Sequence, residues 1–151
     1  MTAPVSLFDV IAYVETKNCP PLMRFEPATY ARVASGAWTP LLDKIAQFNQ
    51  CSQSTARMIY STSWGAAQLM GFNLYDLGYE QPVVDFAADP IAQAAMFDKF
   101  VWTKGISSDV HTLATVPAAR RFFARVYNGD TDAYEPLIVQ ALEHFGIEVT
   151  K

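Results

Sequence analysis

Residues 61–73 read Ser-Thr-Ser-Trp-Gly-Ala-Ala-Gln-Leu-Met-Gly-Phe-Asn, or STSWGAAQLMGFN. The apolar pattern over Trp64–Met70 predicts the start of a buried helix. If that helix continues, Gly65, Gln68, Leu69 and Phe72 share one face. An unpaired buried amide costs about 1–3 kcal/mol. Gln68 must therefore bond a neighbouring backbone group or face a wet groove. Gly65 removes a side chain, which either eases helix packing or lets a ligand or another backbone approach closely. Ser63 and Trp64 bring a hydroxyl and a flat ring to the same edge.

Working outward from this stretch, the chain reads as almost all helical. Helices are expected at about Leu7–Lys17, Pro27–Ala34, Thr39–Phe48, Ser52–Tyr60, Pro82–Ala88, Pro90–Lys104, Pro117–Tyr127 and Asp132–Phe145. Prolines at first turns and glycines past the ends set these limits. Asn73–Leu77 and Ser108–Leu113 are expected as single turns. A proline-containing loop covers 18–21, and strand is expected between Pro21 and Glu26, with at most a small hairpin near residues 19–26. The length of 151 residues predicts one domain spanning 1–151.

Half of the chain is apolar (51%) and 17% is charged, which predicts a packed globule. The formal net charge of −4 excludes a basic nucleic-acid-binding face. The densest basic spots, Arg120-Arg121 and Arg125, read as a solvated helix face. Cys19 and Cys51 lack CxxC spacing or a nearby His pair, so no metal or other cofactor is expected and both read as free thiols. His111 and His144 stand apart with no partner signature. The N-terminal run is broken by Asp9 and Glu15 and has no basic leader, so neither a signal peptide nor membrane insertion is expected.

Two glutamates stand out. Phe8, Ile11, Ala12 and Glu15 follow the i, i+3, i+4, i+7 rule, which aims Glu15 at the buried side. It also lies in the last turn, at the negative end of the helix dipole. Both effects raise a carboxyl pKa, as a general acid requires. The alternative is a helix-end Glu that bends to water or pairs with Lys17 or Arg24. Glu26 precedes a helix, where an acid is stabilised by the dipole; alternatively it faces Glu15 across a cleft, as paired carboxylates do in glycosidases. Tyr127-Asn128-Gly129 is an ordinary helix stop that also presents a phenol and an amide at one helix end.

The order of these features is more specific than any of them. Glu15-Thr16, then Gly65-x-x-Gln68-Leu69-Met70, then Tyr127-Asn128-Gly129 resembles the motif series of the goose-type lysozyme and lytic transglycosylase superfamily. More closely, RFEPATY (24–30), TSWGAAQLMGFNLYDLGY (62–79) and FARVYNG (123–129) look like the N-acetylmuramidase domain family of bacteriophage endolysins. The resemblance spans about Leu7 to Phe145. It departs after Glu15, where Thr-Lys-Asn stands in place of Ser-Gly-Gly, and in the ten residues between Glu15 and Glu26, a shorter interval than the family's.

The resemblance implies a mainly α, lysozyme-like fold of about eight helices. It implies cleavage of the β-1,4 bond between N-acetylmuramic acid and N-acetylglucosamine in peptidoglycan. Glu15 would be the general acid, and Glu26 a second carboxylate or orienter. Gln68, Tyr127 and Asn128 would line the glycan cleft with Thr16, while Ser63 and Trp64 shape its floor or edge. The expected partner is bacterial peptidoglycan, met by a monomer made in the host cytoplasm. It would reach the wall after holin-type release or as a virion-associated lysin. A lytic transglycosylase, and a non-catalytic glycan-binding or virion module, are the competing readings.

Overall fold

Ser6 opens the first helix with a reciprocal cap. Its hydroxyl accepts the Asp9 N–H (3.2 Å), and the Asp9 carboxylate accepts the Ser6 N–H (2.9 Å). The helix, α1 (Leu7–Thr16), turns Leu7, Val10, Ile11 and Val14 into the core and stops where Lys17 takes a left-handed φ of 51°. That stop leaves Glu15 one residue from the helix end, on the rim of the core.

The computed structural model describes residues 4–17, 19 and 23–150. The chain continues through β1 (Met23–Phe25), α2 (Pro27–Ala34), α3 (Pro40–Asn49), α4 (Gln53–Tyr60), β2 (Thr62–Trp64), β3 (Leu69–Met70) and α5 (Gly71–Asp76). It ends with α6 (Val83–Ala88), α7 (Pro90–Thr103), α8 (Val110–Thr115), α9 (Pro117–Tyr127) and α10 (Thr131–His144). The described residues thus hold ten helices against the eight expected, because the turns at 73–77 and 108–113 are the short helices α5 and α8. None of these helices is long and apolar enough to cross a membrane.

The expected helix over Trp64–Met70 does not form. Gly65 has φ 75° and Gln68 has φ 52°, and two left-handed residues within one turn break any right-handed helix. The Gln68 N–H bonds the Gly65 carbonyl at 3.0 Å, closing a four-residue turn. The flanking strands then pair antiparallel, Ser63 with Met70 and Trp64 with Leu69. A short apolar run looks alike in a strand and a buried helix, and the helical spacing of Leu69 and Phe72 joins residues of two different elements, β3 and α5.

The strand expected before Glu26 is present, and its partner among the described residues is not a neighbour within 19–26 but a later strand. Strand β1 pairs antiparallel with β2 (Met23 with Trp64, Arg24 with Ser63, Phe25 with Thr62), making a sheet of order β1-β2-β3. Of the expected 18–21 loop, only Cys19 lies within the described residues. Cys19 and Cys51 are free thiols, as expected.

Helix α7 supplies the centre of the core with Met96, Phe97, Phe100 and Val101; α1 and α9 pack beside it and on α10. Arg120 corrects the reading of a solvated basic face, since it is 3% exposed. Its guanidinium donates to the carbonyls of Leu113 (3.0 Å) and Thr150 (3.1 Å) and to Glu135 (3.2 Å). It therefore ties α8, the C-terminal tail and α10 to α9. Arg121 and Arg125 are exposed.

Of the seven glycines, Gly71 has the least room for a side chain. A Cβ there would stand 1.9 Å from the Ile59 carbonyl oxygen, a backbone atom that cannot swing aside. Gly71→Ala is expected to lose at least about 3 kcal/mol in urea denaturation through forced backbone displacement. A loss under about 1 kcal/mol would contradict this packing.

Candidate active site

The 65–68 turn brings Gln68 to the site, and side chains from distant elements hold three of its backbone polar groups, the Ala66 N–H and the Ala66 and Ala67 carbonyls. Gln93 on α7 is 3% exposed. Its Oε1 accepts the Ala66 N–H at 2.8 Å, and its Nε2 donates to the carbonyls of Phe86 (3.1 Å) and Ala87 (3.0 Å). The Tyr127 hydroxyl at the end of α9 donates to the Ala67 carbonyl. Thr16 Oγ1 donates to the Ala12 carbonyl (2.9 Å) and reaches the Ala66 carbonyl at 3.4 Å. A Cβ at Gly65 would stand 2.9 Å from Gln93 Oε1 and 3.0 Å from Phe86, so space as well as its positive φ requires glycine.

Gln68 turns out to satisfy both of its sequence readings. Its Oε1 accepts from the Ser63 hydroxyl at 2.7 Å, and its Nε2 donates to the Gly65 carbonyl at 2.9 Å. One amide hydrogen has no partner among the described residues, and the side chain lines a groove of about 310 Å³.

That groove brings together Glu15 from α1, Glu26 from the start of α2, Ser63 and Gln68 from the β2–β3 hairpin, and Tyr127 and Asn128 from the end of α9. Two of the expected residues do not line it. Trp64 turns its indole N–H to the Ile59 carbonyl (3.2 Å) and packs against the core. Thr16 contacts the Ala66 carbonyl of the 65–68 turn instead. Arg24, Thr29 and Arg32 complete one lip, and Met70 and Phe72 add apolar surface. Pattern reasoning did not single out these five as site residues. Arg32 and Thr29 lie three apart on α2, which places them on one face, and this is the signal that was available.

Glu15 neither bends into bulk water nor forms an ion pair. It is half-buried, and its Oε1 accepts a 2.5 Å hydrogen bond from the Tyr134 hydroxyl on α10. Burial pushes its carboxyl pKa above the usual value. The Tyr134 hydrogen bond and the Arg24 charge pull it partly back down, and the Glu26 charge adds a small push upward. Glu15 thus keeps its proton to a higher pH than an ordinary carboxyl. Glu26 sits outside the start of α2 without capping it by its side chain; its carboxylate takes Arg24 Nε at 2.7 Å. Lys17 places its ammonium over the Tyr13 ring at 4.3 Å.

Tyr134 was hidden by its own setting. It lies on the apolar stripe of α10 with Ile138, Ala141 and Leu142, where an aromatic reads as core. Its ring stacks on Tyr127 with centroids 6.0 Å apart, and Tyr127 in turn packs against Phe97, Phe100 and Phe123. Burial raises the hydroxyl pKa of both tyrosines far above the usual range, so each stays a neutral donor.

A polar groove with one half-buried acid, a second carboxylate and several amides suits a polyhydroxylated ligand. The model of one family, described as Muramidase: N-acetylmuramidase, matches residues 28–137 of the chain. The chain belongs to the N-acetylmuramidase family. This muramidase is 40% identical over 147 residues to the endolysin of Enterobacteria phage PRD1, covering 95% of the chain and 98% of that protein. No solved structure gives a significant match. The family places the muramidase among the glycoside hydrolases. The matched segment takes in Ser63, Gln68, Tyr127 and Asn128 and begins after Glu15 and Glu26. The geometry of the groove is therefore what links those two carboxyls to the family's motifs.

Gln93 gives a direct test of the turn. Gln93→Ala strips the Ala66 N–H and the Ala87 carbonyl of the partner Gln93 supplies, while the Phe86 carbonyl keeps the Asp89 N–H at 3.3 Å, and a loss of roughly 2–4 kcal/mol is expected in urea denaturation. A variant within about 0.5 kcal/mol of wild type would show that the turn holds itself.

Proposed function

We propose that this muramidase hydrolyses bacterial peptidoglycan at the β-1,4 bond between N-acetylmuramic acid and N-acetylglucosamine, with Glu15 as the general acid. The observation that carries the reading is the half-buried Glu15 carboxyl, with its raised pKa, in the same groove as Gln68, Tyr127 and Asn128. Glu15 gives its proton to the glycosidic oxygen as the muramoyl C1–O bond breaks. The N-acetylglucosamine leaves as its 4-hydroxyl, and positive charge develops on the muramoyl ring. Glu26, paired with Arg24 at 2.7 Å, is the second carboxylate of the groove. Water adds to C1 and its proton passes to the Glu15 carboxylate, which restores the acid.

Gln68 and Asn128 contribute amides for the sugar hydroxyls and acetamido groups, and the Arg24–Arg32 lip meets the anionic substituents of muramic acid. The substrate is the glycan strand of the wall, reached after release from the host cytoplasm or from a virion.

One observation favours a second reading of the product. The Glu26 carboxylate is already paired with Arg24, which weakens it as a base for activating water. A lytic transglycosylase needs a single carboxyl, because the muramoyl 6-hydroxyl attacks C1 in place of water. Mass spectrometry of digested peptidoglycan separates the two: reducing muramic ends mark hydrolysis, and 1,6-anhydro ends overturn it. Glu15→Gln is expected to keep the fold and lower wall lysis by roughly 10²–10⁴-fold in a turbidity assay. Undiminished clearing by that variant would remove Glu15 from the mechanism.

A further inference from the structure

We propose that Tyr134 is a positioning residue that fixes the proton of Glu15 on Oε2, the oxygen presented to the glycosidic bond. The inference rests on Glu15 acting as the general acid. Tyr134 lies 119 residues from Glu15 and is 3% exposed, yet its hydroxyl donates to Glu15 Oε1 at 2.5 Å. The placement is set by packing: α1 lies against α10, and the Tyr134 ring stacks on Tyr127.

A phenol has one hydrogen to give, and Oε1 is its acceptor. A protonated Glu15 has two oxygens on which to carry its own hydrogen. On Oε1, that hydrogen would meet the phenol, which would then have to accept it and leave its own hydrogen unpaired in a buried site. On Oε2, both hydrogens are placed: the phenol's on Oε1 and the acid's toward the groove. Oε2 has no partner among the described residues, so nothing there competes for the proton.

The other groups that act on Glu15 do not provide this choice. Arg24 on β1 and Glu26 before α2 neutralise one another at 2.7 Å and pull the Glu15 pKa in opposite directions. Tyr127 on α9 spends its hydroxyl on the Ala67 carbonyl. Tyr134 is the group that makes the two carboxyl oxygens unequal.

Purified full-length Tyr134→Phe, assayed on soluble peptidoglycan strands, tests this. The expected result is a kcat lowered about ten-fold, KM within about two-fold, and an alkaline limb of the pH profile displaced upward, since a donor that lowers the Glu15 pKa is gone. A purely structural role would lower the melting temperature while leaving that limb in place. Should Tyr134→Phe fail to fold, 3,5-difluorotyrosine incorporated at position 134 keeps the ring and strengthens the donor; it is expected to displace the limb downward. Wild-type kcat and pH limb in whichever of the two variants folds would overturn the proposal. If Glu15→Gln is active, the general-acid reading fails. If Glu15→Gln is inactive and the position-134 variants keep the wild-type profile, the positioning role alone fails.

Discussion

The Ala66 N–H of the 65–68 turn ends on the buried amide of Gln93, 2.8 Å away, and from that contact the site takes its shape. A turn with positive φ at both ends is disfavoured by itself, and Gln68 is not a glycine. It persists because α7, α9 and α1 each reach into it: Gln93 to Ala66, Tyr127 to Ala67, and Thr16 to Ala66 again. Those helices form the core, so the turn that carries Gln68 inherits core rigidity. The same Tyr127 ring carries the stack that ends in Tyr134, and Tyr134 holds Glu15. One aromatic column thus touches both the turn and the acid.

The two walls of the groove differ in kind. Glu15, Ser63 and Tyr127 rise from buried elements, whereas the lip with Arg24, Glu26, Thr29 and Arg32 comes from an exposed strand and a helix that buries nothing fully. The proposed function uses the first wall for catalysis and the second for adjustable contacts to a long, varied polymer. The lip also answers a puzzle of charge. A chain of net charge −4 meets an anionic wall, but two arginines gather at its groove, and Glu15 adds no negative charge there while it holds its proton.

Much of this was legible in the sequence. Capping residues and prolines placed the long helices to within a residue or two, and the i, i+7 position of Glu15 implied a desolvated carboxyl. The residues the sequence concealed share a physical reason. Gln93 and Tyr134 lie inside regular helical stripes, where a polar atom is noticed only when its partner is known, and the partners are 27 and 119 residues away. Arg120 misled in the same way, since a buried guanidinium and a solvated one look identical until the carbonyls around it are placed. The 64–70 segment misled because periodicity reports spacing and carries no information on the sign of φ. Trp64 looked like a sugar platform from its neighbours, and it faces the core because its strand position points it there.

Glu15 is where these constraints meet, and its titration measures them together. Carboxyl ¹³C NMR of the wild-type chain, with Glu15 assigned by comparison with Glu15→Gln, reads its apparent pKa directly. Burial behind α1 and α10, only partly offset by the Tyr134 hydrogen bond and Arg24, predicts a midpoint above the ordinary 4.5. A midpoint at or below that value would mean that the carboxyl is solvated or fully ion-paired, and the account of a protonated acid held at the groove would be wrong.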